Sequence, residues 1–111
     1  MAQIASGNEV VTLINVFTVS PGEQAKLVAL LVEATLKTMR HIAGFVSASI
    51  HQSADGTRVA NYAQWRRTED FEAMLRDPRA TEHMKPIREI ATNDAHLYTV
   101  VESFTAGSGA T

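Results

Sequence analysis

Phe45-Val-Ser-Ala-Ser-Ile-His-Gln-Ser-Ala-Asp-Gly-Thr-Arg-Val-Ala-Asn-Tyr-Ala-Gln-Trp-Arg66 is the stretch on which the fold turns. It reads as a β-hairpin: a strand from Phe45 to Gln52, a turn at Ser53-Ala54-Asp55-Gly56, and a strand from Thr57 to Arg66. Gly56 lacks a Cβ and can take the positive φ that a tight hairpin turn requires. Upstream, Leu27, Leu30, Leu31, Ala34 and Thr38 recur at helical spacing. Val28, Val32, Leu36 and Met39 widen that stripe, so a largely buried helix is expected to about Arg40, closed by Ala43-Gly44. Ser20-Pro21-Gly22-Glu23 reads as its capping box, with Ser20 as N-cap and Pro21 in the first helical position. A β-branched run from Val10 to Val19 forms the strand before it. Downstream, Thr68 is expected to cap a short helix through Leu75, and Asp77-Pro78 to start another, interrupted near Pro86. A last strand is expected from Ala95 to Phe104.

The order β-α-β-β-α-β predicts a ferredoxin-like α+β fold, an antiparallel sheet with helices on one face. The other face also needs cover, and pairing two such sheets across a homodimer, as a dimeric α/β barrel, is the economical solution. Residues 9–104 are read as one domain, with loose polar termini at 1–8 and 105–111.

With 111 residues and a net charge of −2, the chain has room for one core and no basic stripe for nucleic acid. There is no cysteine, which excludes disulfides and zinc–thiolate sites and fits a cytoplasmic protein. No signal peptide and no membrane-spanning apolar run are seen. The four His have no paired spacing, so no metal site is expected. No glycine-rich phosphate loop supports a nucleotide cofactor.

Strand periodicity sorts the remaining candidates. Val59, Asn61, Ala63 and Trp65 share one face of their strand, and Val11, Leu13, Asn15, Phe17 and Val19 share one face of theirs. Asn is disfavoured in strands, and burying an unpaired amide costs roughly 1–3 kcal/mol. Each Asn alone is accounted for by a bulge or loop end that needs its amide, and Trp65 alone by the core. Asn61 and Trp65 at a spacing of four, joined by Asn15, favour a site. His51, at the end of its strand, is a candidate base for neutral pH. His83 and Lys85 lie in the last helix, and His41 and His96 show no partner.

At Asn61-Tyr62-Ala63-Gln64-Trp65 the sequence resembles the antibiotic biosynthesis monooxygenase family, in particular its quinone-forming members of aromatic polyketide pathways. The resemblance runs from residue 10 to 104 and takes in the Pro21-Gly22 turn, Gly44-Phe45, Asp55-Gly56 and Asp77-Pro78-Arg79. It implies a cofactor-free homodimeric monooxygenase that oxidises a polycyclic phenol or anthrone to a quinone with O₂. It implies Asn61, Trp65, Asn15 and His51 as catalytic residues, and Phe17, Tyr62, Phe71, His83 and Met84 as substrate contacts. One branch of the family has a Tyr where this chain has Phe71, and an Arg where it has Met84. Two alternatives stand beside this reading. One is a haem-degrading monooxygenase of the same fold, for which His83 is the candidate ligand although Lys85 stands at the ligand position. The other is a dimeric binding module or isomerase relative that keeps the fold without oxygenase chemistry, and that would fill its pocket with side chains.

Overall fold

The structure, a computed structural model, describes residue 4 and residues 9–107. Its elements are β1 (Val11–Val19), α1 (Gln24–Lys37), a 3₁₀ turn (Met39–His41), β2 (Phe45–Gln52), β3 (Arg58–Trp65), α2 (Thr68–Leu75), α3 (Pro78–Ile90) and β4 (Ala91–Tyr98). The strands form one antiparallel sheet in the order β2-β3-β1-β4, the ferredoxin-like arrangement. The loose ends expected at 1–8 and 105–111 fall largely outside the described residues.

The hairpin is as anticipated, and Asp55 is its keystone. One carboxylate oxygen of Asp55 accepts from the Ser53 hydroxyl at 2.7 Å, the Thr57 hydroxyl at 2.7 Å and the Thr57 N–H at 3.0 Å. These bonds stabilise the charged form and hold the carboxyl down to about 2. Gly56 takes a φ of +78° at the turn.

Five local expectations are corrected. Ser20-Pro21-Gly22-Glu23 is a turn and not a capping box: Glu23 N–H donates to Ser20 C=O at 3.0 Å and Gly22 has φ +92°, which no right-handed helix accommodates. The helix therefore starts at Gln24, whose side chain donates to Ser53 C=O at 3.0 Å and Arg58 C=O at 2.9 Å, tying α1 to the hairpin. At its far end α1 stops at Lys37, short of Arg40, which falls instead in the 3₁₀ turn Met39–His41. Thr68 is the first residue of α2 and makes no side-chain cap; the extended Arg67 precedes it. In α3, Asp77 does cap, accepting from Arg79 N–H at 2.9 Å, but Pro86 does not interrupt the helix. The carbonyl it leaves free belongs to exposed Glu82, where water serves, while burial of Ala80 and Ile87 holds the helix on the core. The last strand begins four residues early, at Ala91 and not Ala95. It pairs with β1 from Val19↔Ala91 to Thr12↔Tyr98 and ends there. Val101 and Phe104, read as strand residues, are 86% and 87% exposed.

Helices α1, α2 and α3 cover the sheet face that carries Leu13, Phe17, Val59, Ala63 and Trp65. The core beneath them falls into two clusters. One gathers Leu13, Ile42, Ala63, Trp65, Met74 and Ala80; the other gathers Phe17, Val19, Leu27, Leu31, Val59 and Ile87. Asn15 lies between Leu13 and Phe17 on β1, and Asn61 lies between Val59 and Ala63 on β3. The two Asn are thus the seam at which the apolar core parts.

Candidate active site

At that seam a cleft of about 850 Å³, its open mouth included, separates the sheet from the helices. Its floor is the sheet: Leu13, Asn15 and Phe17 of β1, Ala48 of β2, Asn61, Ala63 and Trp65 of β3, and Asn93 and Ala95 of β4. Its walls are helical, with Leu31 and Ala34 from α1, Phe71 and Met74 from α2, and Met84 and Arg88 from α3. The lining is predominantly apolar with a few convergent polar groups, the composition of a small-molecule site.

Asn15 and Asn61 are direct cross-strand partners, so their side chains enter the cleft side by side. Asn15 is held by a third amide: Asn93 Nδ2 donates to Asn15 Oδ1 at 3.0 Å. That bond engages the Asn15 oxygen and leaves its NH₂ as the group to offer. The Asn61 Oδ1 and Trp65 Nε1 atoms are buried and have no hydrogen-bond partner among the described residues. Buried polar atoms are normally satisfied, and each left unpaired costs roughly 1–3 kcal/mol. Two such atoms on one strand face, both on residues that line an open cleft, are positioned for a ligand. Trp65 is 2% exposed and fixed by edge-on rings, Phe45 at 5.6 Å and Phe71 at 6.3 Å between centroids. The position where one family branch has Tyr therefore holds an apolar ring that orients Trp65.

Of the residues singled out from sequence, the structure brings Asn15, Phe17, Asn61, Trp65, Phe71 and Met84 to this cleft. It does not bring His51, Tyr62 or His83 there. His51 and Tyr62 have the opposite strand parity, since His51 pairs with Ala60, and they project from the sheet face the helices leave bare. His83 sits beside Met84 on α3, turned about 100° from it around the helix axis. Asn61 presents an unpartnered carbonyl oxygen that is buried at the cleft. Among the lining residues that the sequence did not single out are Asn93 and Arg88. Asn93 lay in a segment assigned to a loop before a misplaced strand; Arg88 was legible as the residue one helical turn after Met84, on the same face.

Among the described residues no His, Lys, Asp or Glu lines the cleft. Haem ligation through His83 therefore has no support in its geometry. Among the described residues no group of three or more His, Asp or Glu is placed to hold a metal, and no helix is long and apolar enough to cross a membrane.

Comparison with known proteins places the chain in a family. Residues 10–86 match the model of the antibiotic biosynthesis monooxygenase family. The chain is 44% identical over 108 residues to tetracenomycin-F1 monooxygenase of Streptomyces glaucescens, covering 97% of this chain and 96% of that one. A monooxygenase from the gene ActVA-Orf6 of Streptomyces coelicolor, solved in complex with nanaomycin D, is 29% identical with a TM-score of 0.78, covering 87% of this chain and 92% of that one. SnoaB, a cofactor-independent oxygenase from Streptomyces nogalater, shares the fold with a TM-score of 0.77 at 24% identity, covering 86% of this chain and 97% of that one. A chain matched over nearly its full length, with an open apolar cleft floored by paired Asn and a buried Trp, belongs to the antibiotic biosynthesis monooxygenase family.

Proposed function

We propose that this protein is a cofactor-independent monooxygenase that oxidises a polycyclic aromatic polyketide, a phenol or anthrone, to its quinone with O₂. The observation that carries the reading is the pair of buried, unpartnered atoms, Asn61 Oδ1 and Trp65 Nε1, in an otherwise apolar open cleft. A flat polycyclic ring system matches that pattern. Asn61 and Trp65 lie four residues apart, about 13 Å along the strand at ~3.3 Å per residue, and such a molecule is long enough to touch both. The names of two similar proteins, a tetracenomycin-F1 monooxygenase and a monooxygenase solved in complex with nanaomycin D, support the same substrate class.

The substrate supplies the reducing electrons. Triplet O₂ reacts slowly with closed-shell molecules, but an ionised phenol or anthrone can donate one electron to it. The two radicals then couple, the resulting peroxide takes up a proton, and loss of one water leaves the quinone. One substrate and one O₂ thus give one quinone and one H₂O. The chain's part is to bind, to orient and to favour the anion. Trp65 Nε1–H donates to the oxygen on which charge develops, and such a donor lowers the barrier by about 2.7–4 kcal/mol, while the Asn15 NH₂, at the other end of the cleft beside Asn61, meets a second oxygen of the substrate. The Asn61 carbonyl oxygen accepts a neighbouring hydroxyl and sets the register of the rings. With no titratable base in the lining, the substrate proton leaves to solvent at the cleft mouth.

The working unit in this reading is a homodimer. The bare sheet face carries half-buried Ile14, Val16 and Tyr62 together with His51, and a second sheet laid on it closes the barrel. The test of function is direct. The protein, purified without added metal or flavin, should turn an anthrone into its quinone in air with one O₂ taken up for each quinone formed. Activity lost on exhaustive chelation and restored by metal refutes the mechanism.

A further inference from the structure

Arg88 is the one charged side chain among the residues that line the cleft. It lies on α3 four residues after Met84, so both share the helix face turned to the sheet. Its residue is exposed while Asn61 Oδ1 and Trp65 Nε1 are buried, which puts the cation at the mouth and the hydrogen-bonding pair inside. It also borders a second, shallower groove with Ser20, Glu89 and Thr92.

None of the chain's other Lys or Arg residues lines the cleft, and four of them are engaged in ion pairs. Arg79 pairs with Asp77 at 2.7 Å and Lys85 with Glu82 at 2.8 Å, and across the fold Lys37 and Arg67 pair with Glu33 and Asp70. Arg88 is in no ion pair among the described residues, and no carboxylate lines the cleft to meet it. A guanidinium is a planar fork of N–H donors shaped for a carboxylate and always charged. An unpaired one at the rim of an apolar cleft is complementary to a ligand with an apolar body and one acidic edge.

We propose that Arg88 anchors a carboxylate on the substrate's outer ring, so that the cleft selects acidic polycyclic aromatics and seats them with the opposite ring toward Asn61 and Trp65. This rests on the aromatic-substrate reading of the cleft. It gives the substrate one direction of entry: the charged edge stays at the wet mouth, and the ring to be oxidised reaches the buried donors. Arg88 acts on binding and orientation.

The test needs no turnover. Trp65 is the only tryptophan of the chain and lies in the cleft, so its fluorescence reports occupancy. Anthraquinone-2-carboxylate and its methyl ester are titrated at neutral pH into the native protein, Arg88→Gln and Arg88→Lys, with melting temperatures checking the fold. The native protein should bind the carboxylate about tenfold more tightly than the ester, the lower end of what a hydrogen bond to a charged group provides at an exposed site. That ratio should fall to about one in Arg88→Gln, survive in part in Arg88→Lys, and shrink with added salt. Equal binding of the two probes by native protein, or an unchanged ratio in Arg88→Gln, overturns the role of Arg88 alone. Quenching by neither probe overturns the aromatic cleft and the anchor together.

Discussion

Replacing Asn61 with alanine should make the protein more stable and a poorer enzyme, an outcome a purely structural Asn does not produce. In the free protein Asn61 Oδ1 is buried without a partner. Removing an unsatisfied buried acceptor returns roughly 1–3 kcal/mol. Little offsets it: the truncated atoms form an amide, so almost no apolar burial is lost, and the side chain borders an open cleft, so no closed cavity forms. Ala is also no worse than Asn in a strand. At about 4–8 °C per kcal/mol for a domain near this size, Asn61→Ala should melt several degrees above the native protein. Catalysis should move the other way. Loss of the acceptor for the substrate hydroxyl lowers kcat/KM about tenfold, the value of one neutral hydrogen bond in a site that excludes water. Thermal melting and steady-state oxidation of an anthrone on the same preparations read both effects. A lower melting temperature with activity per folded molecule retained refutes the reasoning, because Asn61 would then hold the backbone and not the substrate.

Trp65→Phe keeps an aromatic ring between Phe45 and Phe71 but removes the orphan N–H, so kcat should fall roughly 10²–10³-fold; single-turnover kinetics showing a native rate would remove the oxyanion role. Gly44 has φ +89°, and a methyl group there would overlap the Asp70 side chain, so Gly44→Ala should cost roughly 1–3 kcal/mol by chemical denaturation; an unchanged midpoint would show the turn to be permissive. Asp55 titrates at about 2 in the folded hairpin against 3.8 for the free side chain. A depressed folded value means its stabilisation is full above about pH 4 and is lost as pH falls through about 2. Melting curves of native protein and Asp55→Asn should therefore differ at pH 6 and converge toward pH 2; a gap that persists in acid would refute the assignment. Sedimentation at micromolar concentration should find a dimer, and a monomer there would leave the bare sheet face unexplained.

The legible parts of this protein are those governed by neighbours along the chain. The hairpin was readable because Asp55-Gly56 can satisfy a tight turn within a few residues, and the faces of β1 and β3 because side-chain parity is a property of any strand. Parity alone placed Asn15, Phe17, Asn61 and Trp65 on shared faces, and the string around Trp65 carried the resemblance to the family. Local rules misled where two of them competed. At Ser20–Glu23 a turn signal and a cap signal share the same residues, and Gly22 decided for the turn. At Pro86 a helix breaker was overruled by burial of Ile87 in the core.

What only the tertiary structure decided depends on pairing between distant segments. The register of β4 is set by β1, about eighty residues away, and a slip of one residue would have turned Asn93 out of the cleft. With that register Asn93 meets Asn15 and fixes which end of its amide is free. The sheet faces likewise separated candidates that composition had grouped: His51 and Tyr62 went to the bare face, and Asn61 and Trp65 to the cleft. The seam between the two core clusters, with its orphaned oxygen and indole N–H, is written in no single segment. Strand chemistry says which way a side chain points, but only the packing of helices against the sheet says whether anything is there to meet it.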